Sequence, residues 1–135
     1  MNKKNSNQVV GNAGLYYVCY KLSLLGWNVM PTARNTRGID VLAYSQNAIR
    51  TLAVQVKTLS KRSAVPLGTK LDNLFGDFFI VCQDVAKKEP KCFVLKPDEV
   101  RKLSHQAGIS FWMEPKQYDQ PTYSDQWDRI GSGQD

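Results

Sequence analysis

The sequence predicts an α/β fold in one domain, and three patterns indicate it. Apolar residues at helical spacing across residues 8–25 predict a long amphipathic helix. Residues 39–58 contain two β-prone runs around a polar centre, which predicts a β-hairpin. The run FFIVC at 78–82 is too short for a helix and is typical of a buried central strand. These elements predict a central mixed sheet flanked by helices.

The first helix has N-cap candidates at residues 5–7 and a C′ stop at Gly26. Gly11 and Gly14 lower helix propensity, so we expect backbone or ligand to approach closely near its amino end. Its apolar stripe consists of Leu15, Val18, Cys19, Leu22 and Leu25. A short strand is expected at 27–32, followed by the polar connection ARNTR at 33–37.

The hairpin brings three polar side chains towards one place. In its second strand, Gln55 and Lys57 point to the same face because side chains alternate with period two. Asp40 lies at the open end of the first strand, so the three groups are expected to converge. A lysine among apolar strand residues needs compensation for its charge. The alternative is an exposed edge strand whose lysine extends to water.

The remaining elements follow in order. Residues 60–70, SKRSAVPLGTK, lack apolar periodicity and predict a basic surface loop that orders on nucleic acid. A strand is expected at 91–96, and a helix begins at Pro97 with acids first and bases after them. The core is expected at about 8–107, and the last residues, 131–135, should be frayed. The tail from residue 108 contains the aromatic residues Phe111, Trp112, Tyr118, Tyr123 and Trp127. We expect them to pack across the domain as a closing flap, the alternative being stacking on bases.

The composition and charge of the sequence limit the classes of protein to which it can belong. The chain has 135 residues, 42% hydrophobic and 22% charged, which suits one globular domain. No apolar run reaches membrane-spanning length, so we expect a cytoplasmic protein with no membrane partner. Three cysteines without CxxC spacing are expected to be reduced core residues, and one histidine argues against zinc or triad chemistry. Residues 1–70 carry ten Lys or Arg and one acid, Asp40, which favours a polyanionic partner such as nucleic acid.

A family resemblance adds to this interpretation. The order of helix, Gly26, strand, Gly38-Ile39-Asp40, hairpin and Gln55-Val56-Lys57 resembles the PD-(D/E)xK nuclease superfamily, which includes restriction-endonuclease-like and Holliday-junction-resolvase-like enzymes. It covers roughly residues 10–60 and implies an αβββαβ core. The sequence departs from the family twice: Gln55 replaces the acid before the lysine, and Leu15 stands where relatives commonly carry a glutamate, with Asn12 one turn earlier.

The resemblance implies a divalent-metal-dependent DNA endonuclease, a magnesium-dependent phosphodiester hydrolase without a small-molecule cofactor. Asp40, the amide oxygen of Gln55 and the carbonyl of Val56 would bind Mg²⁺ or Mn²⁺, and Lys57 would orient or help deprotonate the attacking water. A homodimer is expected by analogy. The residues expected to contact nucleic-acid phosphates are Arg34, Arg37, Lys61, Arg62 and Lys70.

Two alternatives stay open. In the first, the protein has the nuclease fold but only binds nucleic acid, and Asp40 and Lys57 form an ion pair. In the second, it is an interaction protein whose aromatic tail docks a partner. Arg34 and Arg37 have an equally simple interpretation as part of a solvated loop.

Overall fold

The computed structural model of the chain describes residues 6–32 and 38–134. Its helices are α1 (Asn7–Leu24), α2 (Pro97–Leu103) and α3 (Pro115–Tyr118), with 3₁₀ helices at Leu71–Asn73 and Trp127–Arg129. Its strands are β1 (Asn28–Pro31), β2 (Val41–Tyr44), β3 (Thr51–Leu59), β4 (Val65–Gly68), β5 (Phe78–Gln83), β6 (Lys91–Leu95), β7 (His105–Ala107) and β8 (Ser110–Met113). Within these residues, none of the helices is long and apolar enough to span a membrane.

Helix α1 packs closely against the central sheet. Its first turn is capped by the hydroxyl of Ser6, and the chain leaves it at Gly26, whose φ of +96° favours glycine. A Cβ placed on Gly14 would collide with the side chain of Thr58, so the predicted close approach is confirmed there. A Cβ on Gly11 would meet no described protein atom within 4 Å, so no backbone approaches Gly11 closely, and a ligand there stays a prediction.

The central sheet has the strand order β1-β2-β3-β5-β6. β3 and β5 are parallel, while the other neighbouring pairs are antiparallel, so the predicted mixed sheet is confirmed. Every residue of β5 is buried, as expected for the strand predicted at 78–82. The side chains of β5 alternate between two hydrophobic clusters, and α1 covers the face that carries Phe78 and Ile80.

A second layer covers the opposite face. It consists of the antiparallel sheet β4-β8-β7 together with α2 and α3. Its cluster joins Phe79 and Val81 of β5 to Val65 of β4, Met113 of β8 and Tyr118 of α3, all 0% exposed. The sheet is therefore buried on both faces, which explains why β5 is apolar throughout.

The prediction of a plain loop at 60–70 is wrong because this stretch contains β4. Val65 and Leu67 are buried and alternate with the exposed residues Pro66 and Gly68. Because proline and glycine are typical of loops, this strand-like alternation could not be recognised in the sequence. β4 is an edge strand, where a proline without an N–H is tolerated, and it pairs with β8 nearly fifty residues later. The parallel connection from β3 to β5 thus contains a strand and a 3₁₀ helix, where the αβββαβ order would place an α-helix.

The tail is held against the body of the protein. The predicted packing role of its aromatic side chains is confirmed for Tyr118 and Trp127, which are buried. The expectation of a frayed end is wrong up to residue 134. The Gly133 N–H donates to the Leu25 carbonyl at 2.9 Å, and the Gly133 carbonyl accepts from the Gln46 N–H at 2.7 Å.

Candidate active site

Asp40 lies where the hairpin pairing ends. The β2·β3 register begins at Val41 opposite Val54, and Asp40 immediately precedes it. The Asp40 carboxylate oxygen Oδ2 accepts a hydrogen bond from the backbone N–H of Val56 at 2.7 Å. The side chain of Asp40 therefore takes the place of a backbone carbonyl that would accept from Val56 if the β2·β3 pairing continued. This bond holds the carboxylate against the backbone of β3 between Gln55 and Lys57.

The environment of Asp40 acts on its ionisation in two directions. Partial burial raises the pKa of the Asp40 carboxyl above its ordinary value, while the Val56 hydrogen bond and the positive charge of Lys57 oppose that rise. Among the described residues, Lys57 forms no ion pair within 4.0 Å, so the alternative of a direct Asp40–Lys57 pair is wrong. Lys57 acts on Asp40 through its charge, and no acid in residues 6–32 or 38–134 pairs with its ammonium group.

Gln55 is almost fully buried, with 7% of its surface exposed. Its Nε2 donates to the backbone carbonyl of Asn73 at 3.3 Å, and its Oε1 accepts from the backbone N–H of Phe75 at 3.2 Å. Both ends of the amide are therefore used on one segment of chain, residues 71–75, which we call the wall segment. A glutamate could not make both bonds, because an ionised carboxylate has no proton to donate.

Gln55 and Lys57 border an open groove of about 1120 Å³ on the second face of the sheet, which we call the Lys57 groove. The side chain of Lys57 is exposed, Phe79 of β5 lies beside Gln55, and Asp40 is not among the residues that line the groove. The shared face predicted for Gln55 and Lys57 is thus confirmed. The groove is lined by Gly38, Ile39, Gln55, Lys57, Leu67, Gly68, Asp72, Asn73, Leu74, Phe75 and Phe79.

The sequence analysis did not identify Asp72, the one acidic residue among those lining the groove. Asp72 is exposed and lies in the first 3₁₀ helix. The residues next to Asp72 in the sequence do not indicate a functional role for it, because the wall segment lies beside the hairpin only through tertiary contacts. The wall of the groove therefore carries an acid that the sequence analysis did not predict.

The residues predicted to contact phosphates differ in their surroundings. Lys61 and Lys70 are exposed on the segment that leads into and out of β4. Arg62 is also exposed, but its guanidinium forms an ion pair with Asp119 at 3.3 Å. Arg34 and Arg37 lie outside the described residues.

The groups available to a divalent metal are hard oxygen donors. Within residues 6–32 and 38–134, no cluster of three or more His, Cys, Asp or Glu side chains exists. The donors near the hairpin are the Asp40 carboxylate, the Gln55 amide oxygen, which has one lone pair beyond the Phe75 bond, and backbone carbonyls. Mg²⁺ prefers oxygen donors and keeps several waters, so this donor set fits it, with little protein charge to hold it.

The helix position at which the resemblance implies a glutamate offers no acidic ligand. Leu15 is half-buried and packs against the cluster under α1, while Asn12 is exposed. The three cysteines are free and buried, as expected, and Cys82 and Cys92 face each other on β5 and β6.

Comparison with known proteins identifies the fold. No protein-family model matches the sequence, nor does any curated protein. Among solved structures, Hjc, a Holliday junction resolvase from the archaeal hyperthermophile Archaeoglobus fulgidus, superimposes with a TM-score of 0.61 and 17% identity, over 90% of this chain and 96% of the resolvase. The bacterial homing endonuclease I-Ssp6803I gives a TM-score of 0.63 and 17% identity, over 93% of both chains. The chain therefore has the restriction-endonuclease-like PD-(D/E)xK fold, as the resemblance predicted.

Proposed function

We propose that this protein is a divalent-metal-dependent endonuclease that hydrolyses phosphodiester bonds in DNA. One observation carries the proposal: the Asp40 carboxylate is anchored on the Val56 N–H, next to Lys57, which lines an open groove and has no ion-pair partner among the described residues. Two proteins of the same fold, a Holliday junction resolvase and a homing endonuclease, support it by analogy.

In this proposal Asp40 is the charged ligand of Mg²⁺ or Mn²⁺, assisted by the Gln55 amide oxygen and the Val56 carbonyl. When bound, the metal supplies Lewis-acid activation of the scissile phosphate and of a water. With Asp40 as the anchoring carboxylate, metal affinity is low until DNA contributes its own phosphate oxygens. The Val56 hydrogen bond fixes the orientation of the carboxylate, so it needs no rearrangement when the substrate arrives.

Lys57 acts on the substrate. Its exposed side chain lines the groove and has no described ion-pair partner, so its ammonium group is available to orient the attacking water and to neutralise charge that builds on the phosphate. Lys61 and Lys70 on the flanks of β4, with Arg34 and Arg37 of the preceding connection, bind the DNA backbone in this proposal. Such contacts make affinity fall steeply with salt. Cleavage of both strands by two copies would follow the symmetry common among such enzymes.

A second candidate is favoured by Leu15. Because this leucine packs into the core where relatives commonly carry a glutamate, the fold would lack one acidic group and serve as a nucleic-acid-binding module. That function predicts DNA binding that does not depend on metal and is lost with rising salt.

The test is cleavage of supercoiled and branched DNA in Mg²⁺ or Mn²⁺ by wild type, Asp40→Asn and Lys57→Ala. We expect metal-dependent nicking, reduced about a hundredfold or more in each variant. Lys91→Ala, an exposed lysine on edge strand β6, is the matched control and should cleave like wild type. Metal-independent DNA binding without cleavage by any form would refute the nuclease and support the binding module.

A further inference from the structure

The Lys57 groove has an apolar interior and an accessible aromatic ring. Four of the side chains that line it are at most 7% exposed, namely Ile39, Leu67, Leu74 and Phe79. Phe75 also lines it and is 37% exposed, so its ring is accessible to a ligand. Binding clefts for small molecules combine such apolar and aromatic lining with a few polar groups, and they enclose about 300–1,000 Å³. At about 1120 Å³, the open groove has room for a flat aromatic group.

The polar groups of the lining favour such a group over an ion. The Gln55 amide already bonds to Asn73 and Phe75, so its oxygen keeps a single lone pair for a ligand. Lys57 and Asp72 are the two charged residues of the lining, and both are exposed. A phosphate or a hydrated ion inside the groove would lose water to apolar side chains without gaining replacement bonds. A planar ring loses little water there, and Lys57 remains for an anion attached to that ring.

Positive charge lies next to this apolar interior. Lys61 and Lys70 are exposed on either side of β4, which contributes Leu67 and Gly68 to the lining. Residues 1–70 carry ten Lys or Arg and one acid, so the half of the chain that supplies Lys57 attracts polyanions. A DNA strand is a polyanion with planar bases, but a base inside a duplex is covered on both faces by its neighbours. The base must leave the stack before it can lie against an aromatic side chain.

We propose that the Lys57 groove is a nucleotide subsite, which receives one unstacked base of a DNA strand against Phe75 while Lys57 holds the phosphate of that nucleotide. The inference deepens the proposed function, on which the phosphate contact of Lys57 rests. It makes DNA with an unpaired or extrahelical nucleotide the preferred substrate class. Because Lys57 also acts on the scissile phosphate in the proposed function, the base in the groove belongs to a nucleotide at the cleaved bond.

The test compares two DNA ligands that differ by one base. The first is a duplex with a single extrahelical adenine, and the second is the same duplex with an abasic residue at that position, so both carry the same phosphates. Their affinities for the full chain are measured by fluorescence anisotropy in EDTA, where metal-dependent cleavage cannot occur. Wild type should bind the ligand with the adenine about tenfold more tightly than the abasic ligand.

Variants distinguish the base contact from the phosphate contact. Phe75→Ala should bring the ratio of the two affinities to about one, and Phe75→Tyr, which keeps an aromatic ring, should retain it. Tyr16→Ala is the matched control, because it removes a ring that is 61% exposed on α1, which covers the other face of the sheet. Lys57→Ala should weaken the binding of both ligands by the same factor and leave the ratio unchanged, because it removes a phosphate contact.

The outcomes separate this inference from the nuclease proposal. A ratio near one in wild type would overturn the subsite, and so would a ratio that Phe75→Ala leaves unchanged; neither result bears on metal-dependent nicking. A ratio lost in Phe75→Ala but kept in Tyr16→Ala would support the subsite even if no form of the protein cleaved DNA, a result that would refute the nuclease alone. Because the ratio in wild type requires no substitution, the inference can be refuted even if Phe75→Ala does not fold.

Discussion

Restoring the acid that the family resemblance places at position 55 should damage this protein. In Gln55→Glu, the ionised carboxylate keeps the bond from the Phe75 N–H but has nothing to donate to the Asn73 carbonyl. It also places a negative charge where 7% of the side chain is exposed. A carbonyl left without its donor costs about 1–3 kcal/mol, and the nearby positive charge of Lys57 offsets part of the charge burial. We expect the free energy of unfolding to fall by about 2 kcal/mol.

Acid should relieve this loss. Burial raises the pKa of a carboxyl, so the introduced side chain binds a proton more readily in the folded than in the unfolded state. Its protonated form is neutral and can donate to Asn73 again. The deficit relative to wild type should therefore be largest at about pH 7.5 and shrink as pH falls towards about 4.5.

Urea denaturation at the two pH values measures both effects. Gln106→Glu makes the same charge change at an exposed site and should stay within about 0.5 kcal/mol of wild type. If Gln55→Glu is as stable as Gln106→Glu at neutral pH, the Gln55 amide does not hold the wall segment and the reasoning is wrong.

Two further predictions concern stability. In urea denaturation, Gly14→Ala should lower the free energy of unfolding by about 1–3 kcal/mol, because its Cβ collides with Thr58. Gly11→Ala should raise it by about 0.5–1 kcal/mol. Equal effects of the two variants would contradict the packing of α1 against the sheet. Burial opposes ionisation of Glu99, but hydrogen bonds from Arg129 and the Lys96 N–H prevail and lower its pKa. The stability that these bonds provide is fully present above about pH 4.5 and is lost as pH falls through the lowered pKa of Glu99. Glu99→Gln should therefore reduce the free energy of unfolding by about 2 kcal/mol at neutral pH and leave it unchanged in strong acid. A reduction that does not depend on pH would refute this prediction.

Several elements could be predicted from local residue patterns alone. The stripe of α1, the stop at Gly26, the hairpin and the apolar run of β5 all follow from side-chain spacing within about twenty residues. The shared face of Gln55 and Lys57 follows from the period of a strand alone. The nuclease-like fold could be inferred because these elements and the Asp40 motif occur in a recognisable order.

Other features depend on contacts between distant parts of the chain and could not be predicted from local patterns. β4 exists because β8 pairs with it, and the end of the chain is ordered because Gly133 bonds to Leu25 and Gln46. The resemblance implies an acid at position 55, but only the tertiary structure shows that the amide of Gln55 bonds to Asn73 and Phe75 and that Asp72 lines the same groove. Local patterns cannot reveal such pairings, because the packing of the whole domain selects them and no periodicity encodes them.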